Sequence, residues 1–274
     1  MNWLTALILG IVQGLTELLP VSSSGHLVLM EKIMGVQLKD ASFEISVHVA
    51  TALALCFILR RELWLMLRSI NPVHGSTSRA ALGKDERTRG RLLILAVIVG
   101  SIPAAVIGIT LSDRIEAAFH SVTLTLLMLP ATGIFLVLTR WAKDRTLEVS
   151  GFRALIVGIA QAIAVLPGVS RSGLTVGSGL FLGITKVDAV RFSFLLSIPA
   201  IGGGAVLKLI KGSGAGSGMA GVGGENLAIA GVVAFFAALL GAKALLGVVK
   251  RGKLQYFGYY CIAVGVLGLL LLPR

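Results

Sequence analysis

Apolar residues along this chain fall in long runs separated by short polar, mostly basic segments. That pattern predicts membrane-crossing helices rather than the alternation of a strand or the one-sided stripe of a soluble helix. Six runs approach the about 20 residues that a spanning helix needs, at roughly 43–59, 92–111, 122–139, 192–210, 227–249 and 254–272. Two further apolar stretches are interrupted. One runs from Trp3 to Met34 and breaks at Pro20-Val21-Ser22-Ser23-Ser24-Gly25-His26; the other runs from Ala154 to Ile184 and breaks at Pro167-Gly168-Val169-Ser170-Arg171-Ser172-Gly173. Each half is about 12 to 15 residues long, too short to span alone. The stretches 3–34 and 154–184 therefore read as re-entrant helical hairpins, tolerated at membrane depth only where irregular backbone lines a protein cavity. The predicted fold is an all-α polytopic membrane protein with six transmembrane helices plus two re-entrant helical hairpins.

The two interrupted stretches resemble each other. At a constant offset of 148, Gly10/Gly158, Ile11/Ile159, Gln13/Gln161, Leu18/Leu166, Val21/Val169, Ser22/Ser170, Ser24/Ser172 and Gly25/Gly173 coincide, while Pro20 and Pro167 miss by one position. Each copy is followed by three spans, an odd number, so the second copy is expected upside down. That predicts an inverted-topology repeat within a single membrane domain, 1–274: repeat 1 over about 1–139 and repeat 2 over about 154–272, with the site where the two breaks meet.

Composition strengthens this picture. Of 274 residues, 55% are hydrophobic and 14% charged, against about 25% charged in soluble domains. Disorder, a coiled coil and a soluble enzyme are excluded. The formal charge of +12 does not indicate nucleic acid, because too little polar surface exists to carry a basic face. Its distribution orients the chain instead. Arg60, Arg61, Arg68, Arg79, Lys84, Arg87, Arg89 and Arg91, then Arg140, Lys143, Arg145 and Arg153, then Lys186 and Arg191, then Lys250, Arg251 and Lys253 all fall in loops that six spans place on the cytoplasmic face. The opposite side receives Lys32, Lys39, Arg114, Lys208, Lys211 and Arg274. Both termini are then expected outside. Met1 to Pro20 lacks a basic leader and a small-residue cleavage site, so it reads as retained structure. Residues 71–90 read as a solvated cytoplasmic loop and 212–224 as a flexible external linker. Cys56 and Cys261 lie in apolar runs without metal or redox spacing and read as small buried hydrophobes.

Gln13 and Glu17 stand at i and i+4, on one face of the first half-helix. A carboxylate in an apolar segment is costly unless paired, which marks Glu17 as functional. Ser22, Ser23, Ser24, Gly25 and His26 follow; free N–H groups at the start of a helix suit a phosphate, and a plain Ser-rich cap explains the same residues. In the second break Arg171 lies between Ser170 and Ser172, ahead of Gly173 and Thr175. Its planar fork fits phosphate or carboxylate, and a standing Arg171–Glu17 salt bridge fits the same facts. Glu44 and His48 form either a cavity rim or an interface pair. Lys243, inside the fifth span, reads as snorkelling or as half of a buried ion pair. Two function classes remain: a phosphoryl-transfer enzyme with a serine nucleophile and an acid/base pair, or a secondary transporter or lipid-carrier flippase with an anion site between repeats.

Gln13-Gly-Leu-Thr-Glu17-Leu-Leu-Pro-Val-Ser-Ser-Ser-Gly-His26 and Leu166-Pro-Gly-Val-Ser-Arg-Ser-Gly173 closely resemble the two signature regions of the undecaprenyl-diphosphate phosphatase family, the integral-membrane, bacitracin-resistance type. The length and two-copy layout match as well, so the resemblance covers essentially the whole chain. It implies removal of the terminal phosphate of undecaprenyl diphosphate at the outer side of the bacterial plasma membrane, regenerating the monophosphate carrier for cell-wall synthesis. It also implies a divalent cation, Mg²⁺ or Ca²⁺, a surround of membrane lipids and homodimers in some settings; the expected holder of the cation is Glu17 beside Gln13. The mechanism it suggests has Ser23 or a water as nucleophile, His26 and Glu17 sharing the acid/base work, and Arg171 completing the catalytic set, with substrate held by Ser22, Ser24, Gly25, Ser170, Ser172, Gly173 and Thr175. Ser24-Gly25-His26 and Ser170-Arg171 superficially match type 2 phosphatidic acid phosphatases too. That chemistry needs a later nucleophilic histidine, and no histidine follows His120.

Overall fold

The structure, a computed structural model, describes residues 1–36, 41–70, 83–143, 145–212 and 223–271. Lys39, residues 71–82 of the basic loop with His74 and Arg79, most of the Gly-rich linker, and Arg274 lie outside the described residues. The regular structure of the described chain is helical, with one isolated bridge between Leu147 and Ile184. Both interrupted stretches form paired helices: α1 (Trp3–Leu18) and α2 (Ser23–Met34), then α8 (Gly151–Ile163) and α9 (Arg171–Phe181). Between the pairs run α3 (Ala41–Ile58), α4 (Arg60–Ile70), α5 (Lys84–Thr110), α6 (Ser112–Phe119) and α7 (Val122–Leu138), which a short 3-10 turn extends over Thr139–Trp141. After α9 come α10 (Lys186–Gly212), α11 (Gly224–Lys250) and α12 (Gln255–Leu271).

Four helices are long and apolar enough to cross a membrane: Lys84–Thr110, Val122–Trp141, Lys186–Lys208 and Gly224–Lys250. A fifth span arises if Ser42–Ile58 and Arg60–Ile70 count together, although they meet at 74°. α12 is apolar but only 17 residues long within the described chain, so the sixth predicted span falls just short. Two helices have no counterpart in the hydropathy reading. α6 fills the connection between the predicted spans 92–111 and 122–139. α4 opens on Arg60-Arg61-Glu62 and carries exposed Trp64, Leu67 and Ile70 among its charges. Such an amphipathic helix, turned sharply from its predecessor, suits the membrane interface, and the Arg68 guanidinium stacks 4.8 Å over the Trp64 ring.

Small residues set the helix pairing. α1 packs along α11 and α8 along α5, while α12 packs along α7 and α3 against both α10 and α11. A Cβ on Gly10 would approach Ala230 O to 2.7 Å, and one on Gly14 or Gly158 would intrude on the backbone of Ala234 or Gly100. Backbones this close are how helices associate in lipid, where burial of apolar side chains gives no preference for protein over acyl chains. α7 and α12 meet in the same way at Gly133 and Gly258. Polar contacts gather the chain at two ends. Arg191 reaches Glu62 at 3.4 Å, Leu147 N bonds Gly183 O at 3.1 Å, and Lys186 Nζ lies beside Gly252. These join the basic segments at one end. Asn226 bonds Met1 O at 2.8 Å, and Glu44 pairs with Lys208, at the other. Lys243 is exposed on the outer surface of α11, so of its two readings snorkelling fits and a buried ion pair does not. Cys261 is buried; Cys56 is only half-buried, because α3 turns part of that face outward.

Candidate active site

The two breaks are built alike and locked together. Ser22 caps α2 by accepting from Gly25 N at 3.2 Å, and Ser170 caps α9 by accepting from Gly173 N at 3.1 Å. Each cap satisfies one of the free N–H groups at a helix start. Bonds then cross between the breaks: Gly168 N donates to Ser24 Oγ at 3.2 Å, and Ser172 Oγ donates to Leu19 O at 2.9 Å. α7 buttresses the second break, with Ser170 N donating to Thr132 Oγ1 at 3.1 Å and Gly168, at φ +83, pressed against the Thr125 carbonyl. Ser22 itself sits at φ 67, uncommon for a residue with a side chain. Backbone strain of this kind persists where surrounding contacts over-determine a conformation, and it concentrates at functional sites.

Glu17 is the centre of the arrangement. It is 8% exposed and accepts three hydrogen bonds: Gln13 Nε2 at 3.0 Å and Ser23 Oγ at 2.6 Å on Oε2, and Arg171 Nη2 at 2.6 Å on Oε1. His48 Nε2 stands 3.7 Å from Oε2, while its Nδ1 donates to Glu44 O at 2.8 Å. Thus Gln13, Glu17, Ser23 and Arg171 meet, and α3 brings His48 beside them. The Glu44/His48 pair therefore splits, Glu44 pairing outward with Lys208 and His48 facing inward. Thr175 turns the other way, bonding Arg171 O at 2.7 Å and Ser193 Oγ at 2.6 Å beneath the break. Its side chain supports the loop rather than facing Glu17.

His26 is not part of the Glu17 cluster. Its Nδ1 bonds Ser22 O and its Nε2 bonds Tyr260 Oη, each at 2.8 Å. Tyr260 has no local signal in the sequence, since its partner lies 234 residues away. Thr132 and Ser193, hydroxyls inside apolar runs, likewise have partners that no local spacing signals. The Arg171–Glu17 pair is formed, yet Arg171 Nε is buried without a partner.

Among the described residues no group of three or more His, Cys, Asp or Glu side chains could hold a metal ion. What remains is a smaller oxygen set. Gln13 Oε1 is buried without a hydrogen-bond partner, and Glu17 Oε1, with Arg171 as its one donor, retains a lone pair. Two protein oxygens suit a hard divalent cation that takes most of its ligands from substrate phosphates and water.

Residues 6–267 match the family described as Bacitracin resistance protein BacA. Among curated relatives, the undecaprenyl-diphosphatase of Desulforapulum autotrophicum is 40% identical over 268 residues, covering 96% of each chain. That of Korarchaeum cryptofilum is 40% identical over 267 residues, covering 95% of this chain and 96% of its own. That of Salinibacter ruber is 38% identical over 281 residues, covering 99% and 100% respectively.

Proposed function

The chain belongs to the bacitracin resistance protein BacA family, and we propose that it is an undecaprenyl-diphosphate phosphatase, releasing the terminal phosphate of that lipid to regenerate the monophosphate carrier. One observation carries the enzymatic reading over a transporter or flippase: a serine hydroxyl donates at 2.6 Å to a buried carboxylate that an arginine also holds. A nucleophile hydrogen-bonded to its base and oriented by a third group is the arrangement covalent catalysis requires. A transport site needs an anion-binding Arg171 but not that serine–carboxylate bond.

In this reading Arg171 holds the diphosphate with the hydroxyls and N–H groups of the two breaks, its pair with Glu17 opening as substrate enters. Ser23 Oγ attacks the terminal phosphorus, its proton passes to Glu17 Oε2, and the bond to the bridging oxygen breaks as undecaprenyl phosphate leaves. Water, replacing the Tyr260 hydroxyl at His26 Nε2, then attacks the phosphoserine and gives that nitrogen its proton, while Ser23 Oγ departs and recovers its proton from Glu17; the imidazolium returns its proton to solvent as phosphate leaves. Gln13 Oε1 and Glu17 would hold the divalent cation, which supplies neutralisation of the charge on the phosphoryl oxygens.

The finer membrane arrangement belongs to the same proposal. Helices of 16, 12, 13 and 11 residues in α1, α2, α8 and α9 reach only about 16 to 24 Å at 1.5 Å per residue, which supports two re-entrant hairpins. The exchange of partners, α1 with α11 and α8 with α5, is what an inverted repeat predicts when each hairpin packs on the other repeat. The basic end is cytoplasmic, so both termini and the site mouth face outward. The test is phosphate release from a C55 diphosphate by the purified chain in detergent. Release supports the enzyme; its absence, with movement of the lipid between leaflets of a vesicle, would establish the transporter in its place.

A further inference from the structure

The proposed reaction uses His26 but leaves unexplained why a tyrosine from the last helix meets it. α12 is fixed against the first break from two sides. Gly258 and Gly133 bring the α7 and α12 backbones together, and the buried Cys261 Sγ points at Pro20 O, 3.7 Å away. The residue preceding Cys261 is thereby delivered to the start of α2, where Tyr260 Oη lies 2.8 Å from His26 Nε2 with the two rings within 11° of parallel.

The hydrogen bonds decide the direction of that contact. Ser22 O is a carbonyl and only accepts, so His26 Nδ1, 2.8 Å from it, carries the ring proton. In the neutral imidazole Nε2 then holds the lone pair, and the Tyr260 hydroxyl donates to it. We infer that Tyr260 is a positioning residue that holds His26 as the Nδ1–H tautomer with Nε2 unprotonated, the form able to accept a proton. Two constraints from different parts of the chain, Ser22 O and Tyr260 Oη, thus fix both the rotation and the tautomer of one ring, as carbonyl and carboxylate partners orient histidines elsewhere. The inference rests on the phosphatase reading for its kinetic consequence but not for the tautomer itself.

The experiment uses the full chain purified in detergent. Tyr260→Phe keeps the ring and its packing but removes the donor. Its kcat for phosphate release should fall about five- to tenfold, the size of one net hydrogen bond, with KM unchanged. In a His26→Gln background the same substitution should change nothing further, because Tyr260 acts only through that imidazole. Equal losses in both backgrounds, a raised KM with normal kcat, or undiminished activity of Tyr260→Phe would each overturn the assignment. Ring-nitrogen NMR of ¹⁵N-histidine-labelled chain reads the tautomer without turnover. His26 should show a protonated Nδ1 and an unprotonated Nε2 whose signal moves in Tyr260→Phe, and an unmoved signal would overturn the inference. Failure of the wild-type chain to release phosphate would instead strike the function while leaving this spectroscopic result to stand alone.

Discussion

Glu17→Gln tests the site most directly, because the substitution preserves shape while removing the charge on which three donors converge. Gln13 and Ser23 are neutral donors to Oε2, and Arg171 is a charged donor to Oε1. A glutamine can keep one acceptor but must turn its NH₂ toward either the serine or the guanidinium. Removing one partner of a buried ion pair costs about 3–5 kcal/mol. Arg171 retains 18% side-chain exposure, so the expected loss of stability is about 3 kcal/mol, at the lower end of that range. Catalysis should fall further than stability explains. Loss of a general base typically costs 10²- to 10⁴-fold, and a kcat about 10³-fold lower is expected for Glu17→Gln, with a similar fall for Ser23→Ala. The double variant should be no worse than either alone, since a nucleophile without its base and a base without its nucleophile fail at the same step. Phosphate release from a polyprenyl diphosphate measures all three variants, with folding checked by size exclusion and thermal denaturation in detergent. Multiplicative losses, or a Ser23→Ala variant within tenfold of wild type, would refute the serine–carboxylate mechanism and leave water as the nucleophile.

Arg171→Lys keeps a charge but loses the planar fork and the unpartnered Nε, so KM should rise and kcat fall by about 10- to 100-fold in the same assay. Gly14→Val places a side chain against Ala234 of α11 and should lower the melting temperature in detergent, by overpacking of about 1–3 kcal/mol or more, whereas Gly247→Ala, with open space around it, should not. Chelation with EDTA should suppress phosphate release and added Mg²⁺ or Ca²⁺ restore it; full activity in EDTA would remove the cation from the mechanism. In a Cys56→Ser/Cys261→Ser background, a membrane-impermeant thiol reagent applied to intact cells should label Asn2→Cys but not Ser150→Cys, and the reverse would invert the orientation.

The legible parts of this chain were those with a local signature. Each long apolar run became a helix, and both Pro/Gly/Ser interruptions became helix–break–helix units whose capping serines, Ser22 and Ser170, are recognisable from sequence alone. α4 escaped because its hydrophobic residues occupy only one side and are diluted by Arg60, Arg61, Glu62 and Arg68. The hydropathy of a run cannot reveal a helix lying along an interface. The bend of 74° before it falls where the 43–59 run ends, a boundary that marks the end of a helix but not the direction of the next one. Within the site, Glu17, Ser23 and Arg171 stand out as polar groups in apolar surroundings. His48 reads as half of a rim or interface pair with Glu44, and Tyr260 carries no local mark. Their partners, Glu17 on α1 and His26 on α2, are brought to them by packing between distant helices, which no spacing encodes.

The offset between the two breaks gives the site a further logic. Ser23 and Arg171 occupy corresponding positions, 148 residues apart, and both bond the same carboxylate, one on each oxygen. The neighbouring positions remained alike: Ser22 and Ser170 cap their helices by the same bond, and Ser24 and Ser172 each reach across to the opposite break. The caps and cross-bonds of the two breaks are thus alike while their chemistry is not. Glu17 corresponds to Val165, leaving a single acid, and Gln13 corresponds to Gln161, which is buried with neither amide atom hydrogen-bonded. A symmetric pair of serines around one carboxylate would offer two nucleophiles and no cation for a phosphate. A symmetric pair of arginines would offer charge and no nucleophile. The difference at this one pair of positions supplies both, and the shared Glu17 couples them, so that loss of the carboxylate releases the serine and the arginine together.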